Sequence, residues 1–303
     1  VQEVAKDAKL ELAHLFIQAS VQTGLNFNED FNGAHQEGAG YYQLNIRNGL
    51  RQSTARTYLA QCEQRPNLTL ETKALTNRIL IEDGRAVGVQ YSCKKGKANE
   101  TKNAYAKGEV ILCGGVINSP ALLELSGIGN SKQLEPLGIK MHKDLPGVGE
   151  NLQDHLTINI QQGLQNVTTF YEETKPLSML KNIFKFFFGR KGLLTHPAAQ
   201  AGVFFRSNEA EKTPNAQIHF APAASESDSQ GNLKTAPGTT ATVCHLRPES
   251  RGSVHIRSTD PTVYPNIRAM YLSTEGDRNA MIGAVKRVRE IFMAPALDSY
   301  RGN

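Results

Sequence analysis

Gly115-Val-Ile-Asn-Ser-Pro-Ala-Leu-Leu-Glu-Leu-Ser-Gly-Ile-Gly129 follows directly on the apolar run Glu109-Val-Ile-Leu-Cys-Gly114. The order reads as strand, glycine turn, short helix, glycine stop. Ser119 is a fitting N-cap, because its hydroxyl can accept from a free amide of the first turn. Pro120 then takes the first helical position, where a missing N–H costs nothing. Leu122 to Leu125 continue the turn, and Gly127 is placed to take the left-handed conformation that ends a helix. Gly114 and Gly115 leave the main chain bare where something is to approach it closely. The first amides of a helix are unpaired donors at its positive end, which suits a phosphate or a polar ring edge. On residues alone, a structural strand–helix connection with glycines for close packing explains the same pattern. Gly127-Ile-Gly-Asn-Ser-Lys132 lacks the last glycine of a GxGxxG turn and follows a helix rather than a strand.

The chain has 303 residues, enough for one large domain or two ordinary ones. Apolar residues make up 39% and charged residues 21%, the balance of a soluble globular protein. A net charge of +5 is scattered, and the densest basic runs, Lys94-Lys-Gly-Lys97 and Lys185 to Lys191, are short. No basic stripe or recognition motif accompanies it, so nucleic acid is not an expected partner. Cys62, Cys93, Cys113 and Cys244 lie too far apart for a metal knuckle or a CxxC pair. No apolar run spans a bilayer; Ile183-Phe-Lys-Phe-Phe-Phe188 is the most apolar patch and is too short. No signal peptide is expected at the start of the chain. Residue 1 is Val rather than Met, so a missing start is expected.

Val4, Leu10, Leu15, Phe16 and Ala19 fall at helical steps in residues 1–23, ended by Gly24. A polar Asn- and Gly-rich loop covers 26–40, and Ser53 caps a second helix over 54–62. Strands are expected at 68–72, 78–81, 86–91 and 109–113, with Asp83-Gly84 as a hairpin turn between the second and third. The last of these is read as returning to a parallel sheet. A helix is expected at 176–188, strands at 217–220, 240–244 and 253–257, and a polar loop over 225–238. A final helix over 274–292 puts Met281, Ile282, Val285, Val288 and Ile291 on one side. Strands in series followed by a helix suggest a second, antiparallel α+β domain.

The segment from Gly115 to Gly129 resembles the second signature of the glucose–methanol–choline (GMC) family of flavin oxidoreductases. Asn118-Ser-Pro-Ala-Leu-Leu123 and Ser126-Gly-Ile-Gly129 match it, and Val116 departs from it, a small residue being usual there. The resemblance extends to Glu37-Gly-Ala-Gly-Tyr-Tyr42, Arg51-Gln-Ser-Thr-Ala55 and Arg65-Pro-Asn-Leu-Thr69. It continues downstream in Leu137-Gly-Ile139, Asp144-Leu-Pro-Gly-Val-Gly-Glu-Asn-Leu-Gln-Asp-His155 and Ser250-Arg-Gly-Ser-Val254. The wording is closest to the choline and alkanol dehydrogenase-like branch.

The resemblance implies an α/β plus α+β protein: a partial FAD-binding Rossmann-like domain over 1–155, and over 156–303 a substrate domain built on an antiparallel sheet. The family's C-terminal module would begin near 249. FAD is the implied cofactor and a small-molecule alcohol the implied substrate, with choline as one case. Cofactor contacts are expected from Thr76, where the family usually has Val, and from Cys113, Gly114 and Ser119. Cys113 is expected to be a buried, inert thiol. Asn151, Asp154 and His155 are expected as further cofactor contacts, at the passage between the domains near the flavin and substrate. The family's proton-abstracting histidine belongs to a motif close to the C-terminus, which this chain does not contain. No catalytic residue is therefore assigned within the chain, His155 is expected to be structural, and the chain alone is expected not to turn over. The other seven histidines, among them His219, His245 and His255, are expected at the surface or satisfied in the core. Phe170, Tyr171 and Glu172 are the residues that would surround a quaternary ammonium. Asn67-Leu-Thr69, Asn99-Glu-Thr101 and Asn166-Val-Thr168 are formal glycosylation sequons. A homo-oligomer, and a cytoplasmic or membrane-peripheral location, are consistent with this reading. Alternative readings are a non-redox member that retains FAD, of the hydroxynitrile lyase kind, and a non-catalytic descendant.

Overall fold

The computed structural model describes residues 2–3, 9–95, 98–195, 197, 199–227, 230 and 233–302. Val4, the Gly96-Lys97 end of the basic run, His196, and Asp228, Ser229, Gly231 and Asn232 of the expected 225–238 loop lie outside them. Two compact units are present. One comprises Val1–Cys62, His155–Arg247 and Thr274–Asn303; the other comprises Glu63–Asp154 and Pro248–Ser273. They cut the chain differently from two consecutive blocks, 1–155 and 156–303. Residues 38–41 pair into the later sheet, so sheet pairing gathers distant segments into one unit.

The first unit is built on a five-stranded antiparallel sheet in the order Gly38–Tyr41, Ala201–Phe205, Ala216–Ala221, Gly238–His245, Thr157–Gly163. Alternation along Ala216–Ala221 buries Ala216, Ile218 and Phe220 on one face. The helices Glu11–Gln22 and Glu275–Phe292 pack on the sheet. Phe16 stacks on Phe220 at 4.1 Å between centroids and meets Phe292 edge-on. Met281, Ala284, Val288 and Ile291 are buried on the last helix, but Ile282, expected beside them, is 54% exposed. Ala280 and Ala284 line the buried stripe in its place. The strands 38–41, 157–163 and 201–205 were not legible as strands. Within the stretch expected to be a polar loop, Ala224–Ser227 and Leu233–Ala236 pair as an antiparallel hairpin.

The second unit carries a three-stranded meander, Ala74–Glu82, Arg85–Lys95 and Ala98–Tyr105. The expected turn is there: Asp83 and Gly84 both have positive φ, 47° and 76°, as a twisted two-residue hairpin loop requires. The helix Gly115–Leu125 packs on Ala74–Glu82. Gly127 ends it with φ +77°; a Cβ there would lie 2.1 Å from the Lys140 carbonyl oxygen, so only glycine fits. Ile128–Gly129 then pairs in parallel with Lys143–Asp144. Glu150–Leu152, Gly252–His255 and Asn266–Arg268 form a further antiparallel sheet.

Three local expectations are corrected here. Residues 68–72 and 109–113 are not strands: no described segment pairs with them, and Leu70 (49%) and Ile111 (75%) are exposed. A β-forming sequence without a neighbour for its N–H and C=O groups does not make a ladder. The helix begins at Gly115, not after Ser119, so Pro120 lies inside it and removes one bond to the preceding turn. Among the described residues no helix is long and apolar enough to cross a membrane.

Candidate functional site

The helix Gly115–Leu125 has an open start. Its N-cap is Gly114, with φ −77° and ψ −1°, and no side chain caps the first amides. No acidic residue stands in its first turn. Residues 114–118 are exposed. Gly115 has φ +78°, a conformation that favours glycine, and a Cβ built on it meets nothing within 4 Å. Glycine is thus required at 115 by the turn, while the space above it is open. Unpaired donors, the positive end of an eleven-residue helix and a clear approach form a polar-anion-accepting arrangement.

The seven expected cofactor contacts distribute as follows. Gly114 forms the helix cap, and Cys113 precedes it outside any helix or strand. Cys113 is exposed, which corrects the buried thiol expected of it, because residues 109–113 have no covering strand. Ser119 is the fifth residue of the helix and half-buried, rather than its N-cap. Thr76 lies on Ala74–Glu82, opposite Tyr91 and beside a β-bulge. That strand is tied to the helix end: the Ile79 amide donates to Ser126 Oγ at 2.8 Å. Asn151 is exposed and held at φ +62° in Glu150–Leu152. Asp154 is exposed and accepts a short hydrogen bond from the Tyr271 hydroxyl, which raises the phenol's pKa. The first six residues share the second unit, and His155 opens a segment of the first. The structure groups Cys113, Gly114 and Ser119 at the helix start, with Thr76 on the strand the helix packs against.

His155 is exposed, and its Nε2 lies 3.1 Å from the Leu246 carbonyl oxygen. In that contact Nε2 carries the proton and donates. The ring is thereby oriented by main chain.

One polar group of residues was missed. Alternation along Gln217-Ile-His-Phe220 turns Gln217 and His219 to the sheet face opposite the Phe220 core, a signal present in the sequence. Tyr42 joins them from a distant segment, which no local pattern shows. Gln217 Nε2 donates to the Tyr42 hydroxyl at 2.9 Å, and that oxygen lies 3.0 Å from His219 Nδ1 and 3.1 Å from the Ile218 carbonyl. Gly202 makes this possible, since a Cβ there would lie 2.1 Å from the Tyr42 oxygen. Burial raises the Tyr42 phenol well above its ordinary range. Burial lowers the His219 pKa, with His155 adding to the effect. On the same face burial pushes the Cys244 thiol up to about 11, as expected of an inert thiol.

Phe170, Tyr171 and Glu172 do not form an ammonium cage. Glu172 closes a capping box, its Oε2 accepting from the Thr169 amide at 2.8 Å and hydroxyl at 2.7 Å. Lys175 Nζ sits 5.0 Å above the Tyr171 ring, where an ammonium ligand would have to lie.

The GMC oxidoreductase family matches residues 1–157 and again residues 248–302. The chain belongs to the GMC oxidoreductase family. It is 41% identical over 292 residues to an oxygen-dependent choline dehydrogenase of Yersinia pestis (strain Pestoides F), covering 96% of this chain and 51% of that protein. The chain therefore spans about half the length of the curated relatives it matches. Pyridoxine 4-oxidase from Mesorbium loti superimposes with a TM-score of 0.81 at 25% identity, over 99% of this chain and 54% of its own. An FAD-dependent oxidoreductase from Chaetomium thermophilum gives 0.83 at 24% identity, over 96% of this chain and 56% of its own, and shows the same fold. The architecture, helices with antiparallel sheets, is that of solved GMC proteins.

Proposed function

We propose that this chain is part of an FAD-dependent oxidoreductase that converts an alcohol to an aldehyde or ketone. The observation that carries it is the uncapped glycine start of Gly115–Leu125, in a chain 41% identical to a choline dehydrogenase. The residues present fit the cofactor. Bare main chain at Gly115 admits a flat or anionic group, and the amides of Gly115 to Asn118 would donate to it. Thr76 would offer main-chain groups at the bulge of its strand. When bound, FAD supplies the acceptor for the hydride leaving the alcohol carbon. Asn151 and Asp154 would stand near it, and the Leu246 carbonyl orients the His155 ring. No residue of this chain is assigned as the base.

The substrate class is a small alcohol, and choline is the first member to test. The test is alcohol-dependent dye reduction. The 303-residue chain is expected to show none, and the complete flavin-loaded polypeptide is expected to show it. Turnover by the chain alone would overturn the placing of the base outside it. A flavin-loaded complete protein that oxidises no alcohol would favour the non-redox reading.

A further inference from the structure

The open start of Gly115–Leu125 stands on a helix whose other end is fastened by ionisable side chains that the reading above does not use. Glu124 is fully buried, 0% exposed, and both its carboxylate oxygens accept hydrogen bonds. His255 Nδ1 lies 2.7 Å from Oε1, and the Ile256 amide donates to Oε2 at 2.8 Å. His255 Nε2 lies 3.0 Å from Glu150 Oε1. Both ring nitrogens of His255 are thus engaged by carboxylate oxygens. The backbone makes room for this contact. Gly149 has φ +79°, and a Cβ there would lie 2.2 Å from the Val254 carbonyl oxygen and 2.7 Å from His255 Nδ1. Two residues beyond Glu124, Ser126 Oγ donates to the Leu122 carbonyl and accepts from Ile79 on the Thr76 strand.

We propose that His255 is a positioning residue: with Glu124 and Glu150 it forms a latch that fixes Gly115–Leu125 against the Gly252–His255 strand. At 1.5 Å per residue, Glu124 stands roughly 14 Å from Gly115, so a loosened latch swings the amide-bearing end. A buried carboxylate deprived of its partner is strongly unfavourable, so the helix end would pull away from the strand rather than keep Glu124 dry and unpaired. The role in holding the nucleotide rests on the cofactor reading above; the latch itself does not.

The experiment uses three variants. His255→Ala removes the latch, His255→Arg puts several donors in reach of both carboxylates, and Gly149→Ala crowds both the Val254 carbonyl and the His255 ring. Amide hydrogen exchange is followed in the chain, and the FAD dissociation constant in the complete protein. In His255→Ala, exchange over 117–125 and 254–256 should quicken together by about tenfold or more, while the meander keeps its protection. FAD should bind about tenfold more weakly, Gly149→Ala should follow the same direction, and His255→Arg should restore both. Unchanged exchange in His255→Ala overturns the latch. So does protection lost throughout the unit without rescue by His255→Arg, which would mark a fold-wide role. Faster exchange with unchanged FAD affinity overturns the positioning role. A complete wild-type protein that takes up no FAD sinks the cofactor reading, and the exchange arm then still decides the latch.

Discussion

Two helix starts in this molecule are treated in opposite ways. Glu275–Phe292 is closed by its own residues: Thr274 Oγ1 accepts from the Asp277 amide at 3.1 Å, and Glu275 and Asp277 place negative charge in the first turn. Phe170–Glu173, though short, is closed too, by the Thr169–Glu172 box. Gly115–Leu125 has a glycine cap, no capping side chain and no acid in its first turn. Chains satisfy helix ends where nothing else will, because each unpaired donor has a cost when water is kept from it. Glu11–Gln22 and Pro176–Gly189 also start without a side-chain cap, but Glu11 stands in the first turn of one and Pro176 opens the other. The start of Gly115–Leu125 has neither, and it is the one that the proposed function assigns to the cofactor.

The comparison breaks most severely if the open helix is deprived of its stop. Gly127→Ala puts a Cβ 2.1 Å from the Lys140 carbonyl and a side chain at φ +77°, so a loss of about 2–5 kcal/mol is expected in denaturant melts. A loss below about 0.5 kcal/mol would mean that the turn relaxes and that glycine is not required there. Next in size is closure of the open start by an acid. Asn118→Asp should stabilise the helix by about 0.3–1 kcal/mol through its dipole, yet weaken FAD by about tenfold in the complete protein. Tighter flavin binding in that variant would remove the contrast. The reverse change, Thr274→Ala, opens the closed start and should cost about 1 kcal/mol of stability without altering flavin affinity.

The smallest effect concerns the polar face of the five-stranded sheet. Burial lowers the His219 pKa below the ordinary 6.5, so the unfolded chain binds the proton first. Stability should therefore decline as pH falls below about 6.5 and level off once the lower folded value is passed. His219→Gln should flatten that slope in melts at stepped pH. An unchanged slope would assign the acid sensitivity to other groups.

How much was legible follows from where the information lies. Turns and stops are written locally, and Asp83-Gly84 and Gly127 were found because each needs a backbone that few residues adopt. The residues of the glycine turn were also legible, but the helix start was not. Ser119 and Pro120 look like a cap and first position, and only the positive φ at Gly115 lets the helix begin earlier. The strands expected at 68–72 and 109–113 failed because a strand is a property of two segments, and their sequences carry only one side of the pairing. The Tyr42–Gln217–His219 group and the Glu124–His255–Glu150 latch escaped for the same reason: their members lie far apart in the chain and meet only after folding. The half of each that local alternation shows, such as Gln217 and His219, could be read in advance; the partner could not.

The most direct test is to titrate FAD into the complete polypeptide while recording the amide resonances of Gly114 to Ser119 beside those of Glu275 to Asp277. The expected result is a yellow protein with one tightly held flavin, large shifts at 114–119, and silence at the capped start. A colourless protein, or one that holds flavin while the 114–119 amides stay still, would contradict the assignment of that bare helix end to the nucleotide.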